Sequence, residues 1–256
     1  MTVDTVDARI DRQIARFEPI GLEELNRASA LMKRLERKYV LDAGMLPDFL
    51  GALAGDFRIL VIDGRTRHRY QSSYFDTADL MCFRAHNQQR PNRFKLRARH
   101  YVDSGLQFLE LKEKTRVSET SKSRIALGTS HQPGTLDQAL AQIIGAKGLS
   151  PDDFQTSLVV GYDRLTLSQK DAPCRITIDL NVSFRAAHSE QSAVIDKCIV
   201  EVKSGTRMSL ADRLLRDRGY RAKSPLSKYC IGIVACGLHR KNSIFHAAHA
   251  LLTRTP

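Results

Sequence analysis

In RFKLRARHY, residues 93–101, basic and apolar residues alternate with a period of two. Side chains of a β-strand point alternately to its two faces, so Arg93, Lys95, Arg97 and Arg99 share one face and Phe94, Leu96 and Ala98 the other. The same alternation recurs three times. FLELKEK (108–114) sets Phe108, Glu110, Lys112 and Lys114 opposite Leu109 and Leu111. RITID (175–179) sets Arg175, Thr177 and Asp179 opposite Ile176 and Ile178, and IVEVK (199–203) sets Glu201 and Lys203 opposite Val200 and Val202. Two arrangements satisfy this pattern. Either the charged faces meet water, as on many antiparallel sheets, or they turn inward around a shared cavity while the apolar faces carry helices outside. A solubilising face mixes both signs, whereas these faces are concentrated and mostly basic. The inward arrangement therefore calls for an anionic ligand, because guanidinium and ammonium groups crowded without one repel each other.

The whole chain agrees with an anionic partner. Its 256 residues carry a formal net charge of +12, which favours nucleic acid, an acidic membrane surface or a phosphorylated molecule without choosing among them. No apolar run is long enough for a transmembrane helix, and the N-terminus lacks the basic start and apolar core of a signal peptide. Five scattered cysteines suggest neither zinc nor a disulfide framework. The expectation is a reduced, cytoplasmic protein, with peripheral contact to a membrane or a membrane-bound partner left open.

Neither GxGxxG nor GxxxxGK[ST] is present, which removes the common dinucleotide and P-loop sites. Spacing predicts a helix over 18–35, a strand at 35–41, and a helix through Leu46, Phe49, Leu50 and Leu53 capped by Asp42. Strands are expected near 65–75, 93–101, 106–115, 157–167, 174–180 and 194–203, with Ser104-Gly105 turning a hairpin. Helices are expected over 135–145 and after Ser209, where Asp212 completes a capping box and Gly219 ends the helix. The last 20 residues read as a weak helix or loose tail. The result is an α+β protein built on an antiparallel sheet with peripheral helices.

Taken together, LERKYVL (35–41), RYQSSYFDTAD (69–79), RFKLRARHY (93–101), FLELKEK (108–114), YDR (162–164), RITID (175–179), IVEVKSG (199–205) and LSKY (226–229) resemble the VTC-type polyphosphate polymerase domain of the CYTH, or triphosphate tunnel metalloenzyme, superfamily. The resemblance implies an antiparallel β-barrel whose interior is a charged tunnel. It divides the chain into an N-terminal helical extension (1–34), a tunnel domain (35–236) and a C-terminal tail (237–256). It also implies transfer of the terminal phosphate of ATP to a growing polyphosphate chain with manganese or magnesium. By motif position, Lys38 is the early tunnel lysine, Arg97 and Arg99 are the paired phosphate-binding arginines, and Lys112 or Lys114 is the next contact, with Lys114 the better match. Tyr162 and Arg164 correspond to nucleotide or phosphate contacts, Arg175 to the arginine opening the next strand, Glu201 to the metal-binding glutamate, and Ser227 with Lys228 to the serine–lysine pair. Lys95 and Lys203 join the set as substrate contacts from the same inward faces. Two departures stand out. The usual ExExK opening is reduced to Glu36, Arg37 and Lys38, and Pro225 stands where some members have lysine, leaving Lys223 to serve that phosphate if any residue does. With neither an SPX module nor a membrane segment in view, the domain is expected to act alone or to borrow an anchor from a partner.

Phosphoryl transfer between anions depends on positioning and charge more than on acid–base groups, in keeping with the lack of a Ser/His or Cys/His constellation. His68, His86 and His100 read as surface or strand residues, Tyr70, Tyr74 and Phe75 as packing, and Asp76 and Asp79 as turn formers or partners of basic neighbours. Glu110 reads either as a metal ligand or as a partner of lysines. Two other functions fit the same pattern: hydrolysis of triphosphate or polyphosphate, and polyphosphate binding without catalysis. Nucleic-acid binding is not expected, because no array of stacking aromatics accompanies the basic residues.

Overall fold

The computed structural model describes residues 4–30, 35–115, 120–129, 134–239 and 243–253. Among these residues eleven strands form one sheet, antiparallel except where the first pairs with the third. They are β1 (Glu18–Ile20), β2 (Leu35–Asp42), β3 (Phe57–Leu60), β4 (His68–Thr77), β5 (Arg93–Tyr101), β6 (Gln107–Lys114), β7 (Thr120–Gly128), β8 (Phe154–Gln169), β9 (Cys174–Ala186), β10 (Ser192–Val194) and β11 (Lys197–Ser204). The main path runs β2-β11-β9-β8-β4-β5-β6-β7. Helices α1 (Val6–Ile14), α2 (Leu22–Ala30), α3 (Leu46–Leu53), α4 (Met81–Asn87), α5 (Thr135–Gly145), α6 (Leu210–Asp217), α7 (Lys228–Ala235) and α8 (His246–Thr253) surround it.

The sheet turns its charged face inward. Leu96, Leu109 and Leu111 are buried outside it against Ala139, Leu140, Ile143 and Ile144 of α5. Ile176, Ile178, Val200 and Val202 likewise pack outside against Phe49, Leu50 and Leu53 of α3 and Leu215 of α6. A third cluster lies on the opposite, inner face. Leu158 and Val160 have the same alternation as Tyr162 and Arg164, and they pack with Val182 and Phe184 against Tyr229, Ile231 and Ile233 of α7. The left-handed backbone at Asn181, φ 51°, and the register shift opposite it let β9 carry Asp179 and Val182 on this one face. Helix α7 therefore lies in the concavity and closes part of it.

The expected barrel is not closed by a ladder: among the described residues β7 does not pair with β2. Lys112 Nζ of β6, the strand next to that edge, lies 3.9 Å from Glu36 of β2. Tunnel-like curvature is thus retained in an open sheet.

Other differences are local. Residues 18–30 form β1 and α2 rather than one helix, because Pro19 disfavours helical backbone at Glu18 and β1 gains a parallel partner in β3. Residues 31–34 of that expected helix lie outside the described residues. Asp42 precedes a short 3-10 turn without capping it through its side chain; it instead pairs with Lys197 at 2.9 Å and accepts from Tyr220. The Ser209–Asp212 capping box of α6 forms as expected. Asp76 does not hold cations. Fully buried, it accepts hydrogen bonds from the backbone N–H groups of Thr77, Cys82 and Phe83 and from the Tyr229 hydroxyl, tying α4 to α7.

Gly232 sets how closely α7 approaches the sheet. A Cβ there would lie 2.5 Å from Leu158 Cδ2 and 2.6 Å from Phe184 Cδ1. Gly232→Ala should destabilise the fold by about 1–3 kcal/mol. Denaturant unfolding checks this, and an unchanged midpoint would show that α7 packs less tightly than described.

Candidate functional site: a cationic tunnel

The inner faces of seven strands converge on a cavity of about 520 Å³. Nine cationic side chains line it, from Lys38, Lys95, Arg97, Arg99, Lys112, Lys122, Arg164, Lys203 and Lys228, against the carboxylates of Glu36, Glu110 and Glu201. The register brings them together from distant segments: Lys38 stands beside Glu201 across β2 and β11, and Arg97 beside Glu110 across β5 and β6.

Buried carboxylates hold the cations in place. Glu110, 2 % exposed, accepts from Arg97 Nε at 2.9 Å and from Lys122 Nζ at 2.7 Å, with Arg99 Nε 3.7 Å away. Burial would raise its pKa, but Arg99, Arg97 and Lys122 outweigh burial and hold it at about 2. Of the two roles open to Glu110 in the sequence, the structure shows the ion pairs. Asp179 forms a second hub, bidentate to Arg164 at 2.6 and 2.9 Å and paired with Lys228. Here too burial opposes ionisation, and Arg164 and Lys228 bring the pKa to about 2. Glu201 lies 2.5 Å from Lys203 Nζ and 3.7 Å from Lys38 Nζ, and these two lysines keep it ionised despite burial.

Aromatic rings support the arginines from behind. Tyr70 and Tyr162 stack at 5.2 Å, and the Arg164 guanidinium lies 5.1 Å from both ring centres. Arg99 lies 5.7 Å from the Tyr70 ring. Tyr74 stacks on Tyr229 of α7 and accepts a hydrogen bond from Arg97. The expected packing role of these tyrosines is present, and it serves the site. Ser227 caps α7, its hydroxyl accepting from the Cys230 N–H, so the positive end of the helix dipole faces the cavity beside Lys228. Polar atoms on this inner face also lack partners: Arg99 Nε, Ser72 Oγ and Thr177 Oγ1 are buried and unbonded.

A second cavity of about 590 Å³ adjoins the first and shares Glu36, Lys38, Lys95, Lys112, Leu226 and Ser227 with it. Its remaining wall includes Arg93, Lys114, Lys223 and His86. Lys112 thus faces both cavities, while Lys114, the better motif match, faces the second alone. Lys223 and Pro225 both line the second cavity. Arg175 sits on the inward face of β9 opposite Lys203 in the register but lines neither cavity. His86 is on α4 and not on a strand; its Nδ1 bonds to the Cys82 carbonyl at 2.9 Å, and burial, with Lys95 nearby, pushes its pKa down to about 3. His68 is buried in β4. Sequence reasoning left Lys122 and Glu36 out of the site. The β7 strand around Lys122 has too few apolar positions to announce itself, whereas Glu36 was visible as the residue sharing Lys38's face.

The sequence matches the VTC domain family over residues 33–236. The chain belongs to the VTC domain family. Comparison with curated proteins finds no match. Among solved structures, this VTC domain is similar to a putative adenylyl cyclase of Hippeastrum described as having a dominant triphosphatase activity, at 15% identity and a TM-score of 0.50, covering 78% of this chain and 95% of that one. That likeness concerns the fold alone. A putative adenylate cyclase of Bacillus halodurans is similar at 10% identity and a TM-score of 0.46, over 84% of this chain and 97% of that one.

The donor set of the VTC domain suits a hard divalent cation. Glu36 and Glu201 are both ionised, sit on neighbouring strands and face the same cavity. Magnesium and manganese are commonly held by one or two carboxylates completed by substrate phosphates. Among the described residues no cluster of three or more acidic, histidine or cysteine side chains offers an all-protein cage, so a cation held by Glu36 and Glu201 would take its other ligands from water or a bound anion.

Lys95 gives a titratable handle on the cavity. Burial pushes its pKa down to about 8, with Lys112, Lys38 and Arg97 adding repulsion. A bound polyanion reverses that field, so binding takes up a proton when the free amine is neutral. Tripolyphosphate affinity should therefore fall as pH rises above about 8, by up to about tenfold per pH unit from this group, and Lys95→Arg should remove that component. Calorimetric titrations of both proteins from pH 7.5 to 9.5 measure it; identical pH profiles would place Lys95 outside the ligand's field.

Proposed function

We propose that this VTC domain is a metal-dependent polyphosphate polymerase that transfers the terminal phosphate of ATP to the end of a polyphosphate chain. The observation that carries the reading is the pair of adjoining basic cavities with a common wall at Lys38, Lys95 and Lys112. A hydrolase needs one anion compartment and a water; a polymerase needs two anions end to end.

In this reading Arg97, Arg99 and Arg164 cradle non-bridging oxygens of the triphosphate, with Arg97 held in orientation by Glu110 and Arg164 by Asp179. Lys203 and Tyr162 contact the same substrate, and Arg175 adds to the field from the strand beside Lys203. Lys38, Lys112 and Lys228, with the Ser227 cap of α7, spread the charge that develops as the bond to ADP breaks and a terminal chain oxygen bonds to the transferred phosphorus. Lys95 and Lys114 hold the acceptor chain in the second cavity. The acceptor is already an anion, so no general base is required. Glu36 and Glu201 would hold Mn2+ or Mg2+, which when bound neutralises phosphate oxygens as a Lewis acid.

Incubation of the protein with ATP and manganese should yield acid-insoluble polymer that a polyphosphatase degrades. Release of orthophosphate without polymer would instead favour hydrolysis, and tight polyphosphate binding without ATP turnover would favour a non-catalytic module. Arg97→Ala should weaken triphosphate binding and lower kcat/KM by roughly 10²-fold or more. Glu201→Gln should abolish metal-dependent turnover while retaining much of the polyphosphate affinity. Wild-type turnover in both variants would falsify the site assignment.

A further inference from the structure

The segment 207–223, which carries α6 and the turn after it, holds six basic residues: Arg207, Arg213, Arg216, Arg218, Arg221 and Lys223. Its two carboxylates do not balance them. Asp212 is 2 % exposed and is engaged by Arg37, Tyr39 and Ser209, leaving Asp217 alone on the solvent side. Elsewhere, many surface arginines and lysines pair with acids, as in Arg12–Asp4, Arg58–Glu24, Arg67–Asp11 and Lys170–Glu18. None of the six in this segment has such a partner among the described residues. Three are instead held by main-chain carbonyls: Arg213 by Met208, Arg218 by Leu214, and Arg221 by Arg216 and Tyr220.

Helix stability does not account for the set. Cations at a helix C-terminus complement its dipole, which covers Arg216 and Arg218. Arg207 lies just before the N-cap Ser209, and Arg213 is the fourth helical residue, so neither gains from the dipole. Nor does the face suit a bilayer: Ala211 and Leu215 are buried, and Leu210 and Leu214 pack against the same core, so α6 presents charge without an apolar stripe.

Its position points to another anion. The α6 carboxylate Asp212 is held by Arg37, and Arg37 lines the second cavity. Past the helix, the Lys223 N–H donates to the Lys38 carbonyl at 2.7 Å, and the Lys223 side chain lines that cavity too. The uncompensated basic segment is therefore joined to the second cavity at Lys223, and through Asp212 to Arg37 of its wall.

We propose that this face is an exosite for polyphosphate: a chain longer than the two cavities passes Lys223 and lies against Arg221, Arg216 and Arg213. The exosite rests on the polyphosphate reading above and adds a length preference to it. The Arg213 and Arg221 guanidinium groups, already oriented by carbonyls, bind phosphates with little further loss of freedom.

The test compares the wild-type protein with the triple variant R213Q/R216Q/R221Q, using two probes: tripolyphosphate, which fits within the cavities, and polyphosphate about 100 units long. The expected result is a roughly tenfold loss of long-chain affinity at low salt, with a shallower salt dependence, and unchanged tripolyphosphate affinity. The unchanged short-chain affinity also reports that the variant is folded. Equal long-chain affinity in the two proteins overturns the exosite while leaving the tunnel reading intact. Failure of the wild-type protein to bind either probe overturns both. Vesicles containing phosphatidylserine form a third arm: loss of vesicle binding with long-chain affinity retained would assign the face to a membrane and overturn the proposal.

Discussion

Repulsion among cations on one concave sheet face is the constraint around which the rest of this protein is arranged. Two unit charges 4 Å apart interact by about 4 kcal/mol at an effective dielectric near 20, and nine such groups surround a single cavity. The fold limits the cost with few carboxylates, each serving more than one cation. Glu110 holds Arg97 and Lys122, Asp179 holds Arg164 and Lys228, and Glu201 stands between Lys38 and Lys203. Sharing leaves the lining net positive while fixing the Arg97 and Arg164 guanidinium groups in direction. A site of this kind meets an anion with its donors already oriented, which is the condition under which electrostatic stabilisation is most effective.

Apart from the apolar cluster under α7, stability and recognition are assigned to opposite faces of the same strands. Outside, leucine, isoleucine and valine pack under α3, α5 and α6. Inside, charge is organised by hydrogen bonds and by tyrosine rings. Helix α7 joins the two regimes. Its apolar side packs on Leu158, Val160 and Phe184, its Tyr229 links Tyr74 to the buried Asp76, and its N-terminal turn delivers Ser227 and Lys228 to the cavity. A single strand order thus supplies a core, a polar lining and a helix terminus without any residue having to serve both faces.

Much of this was legible in the chain. The two-residue period in RFKLRARHY and FLELKEK assigns residues to faces, and the apolar half of that period needs a cover of helices. The capping box at Ser209 and the helix at 135–145 follow from local chemistry. Residues whose role depends on a distant partner were not legible. Lys122 lies on a strand with few apolar positions that exists through pairing with β6. Asp76 looks like a turn residue until α4 and α7 converge on it. KYCIGIVA (228–235) receives no element from local sequence alone and becomes a helix once Ser227 caps it and Gly232 admits it against the sheet. Arg175 satisfies the inward pattern yet lies outside both cavities, because periodicity sets which face a side chain takes and not how far along the tunnel it sits.

The sequence by itself determined which side chains share a face and that cations are concentrated on it, because strand periodicity is a local property of the backbone. Only the tertiary structure decided which cations meet, which carboxylates restrain them, and that the sheet stays open between β7 and β2. Those outcomes depend on curvature and register accumulated over eight strands, and no local segment encodes the distance between its side chains and those of a strand a hundred residues away.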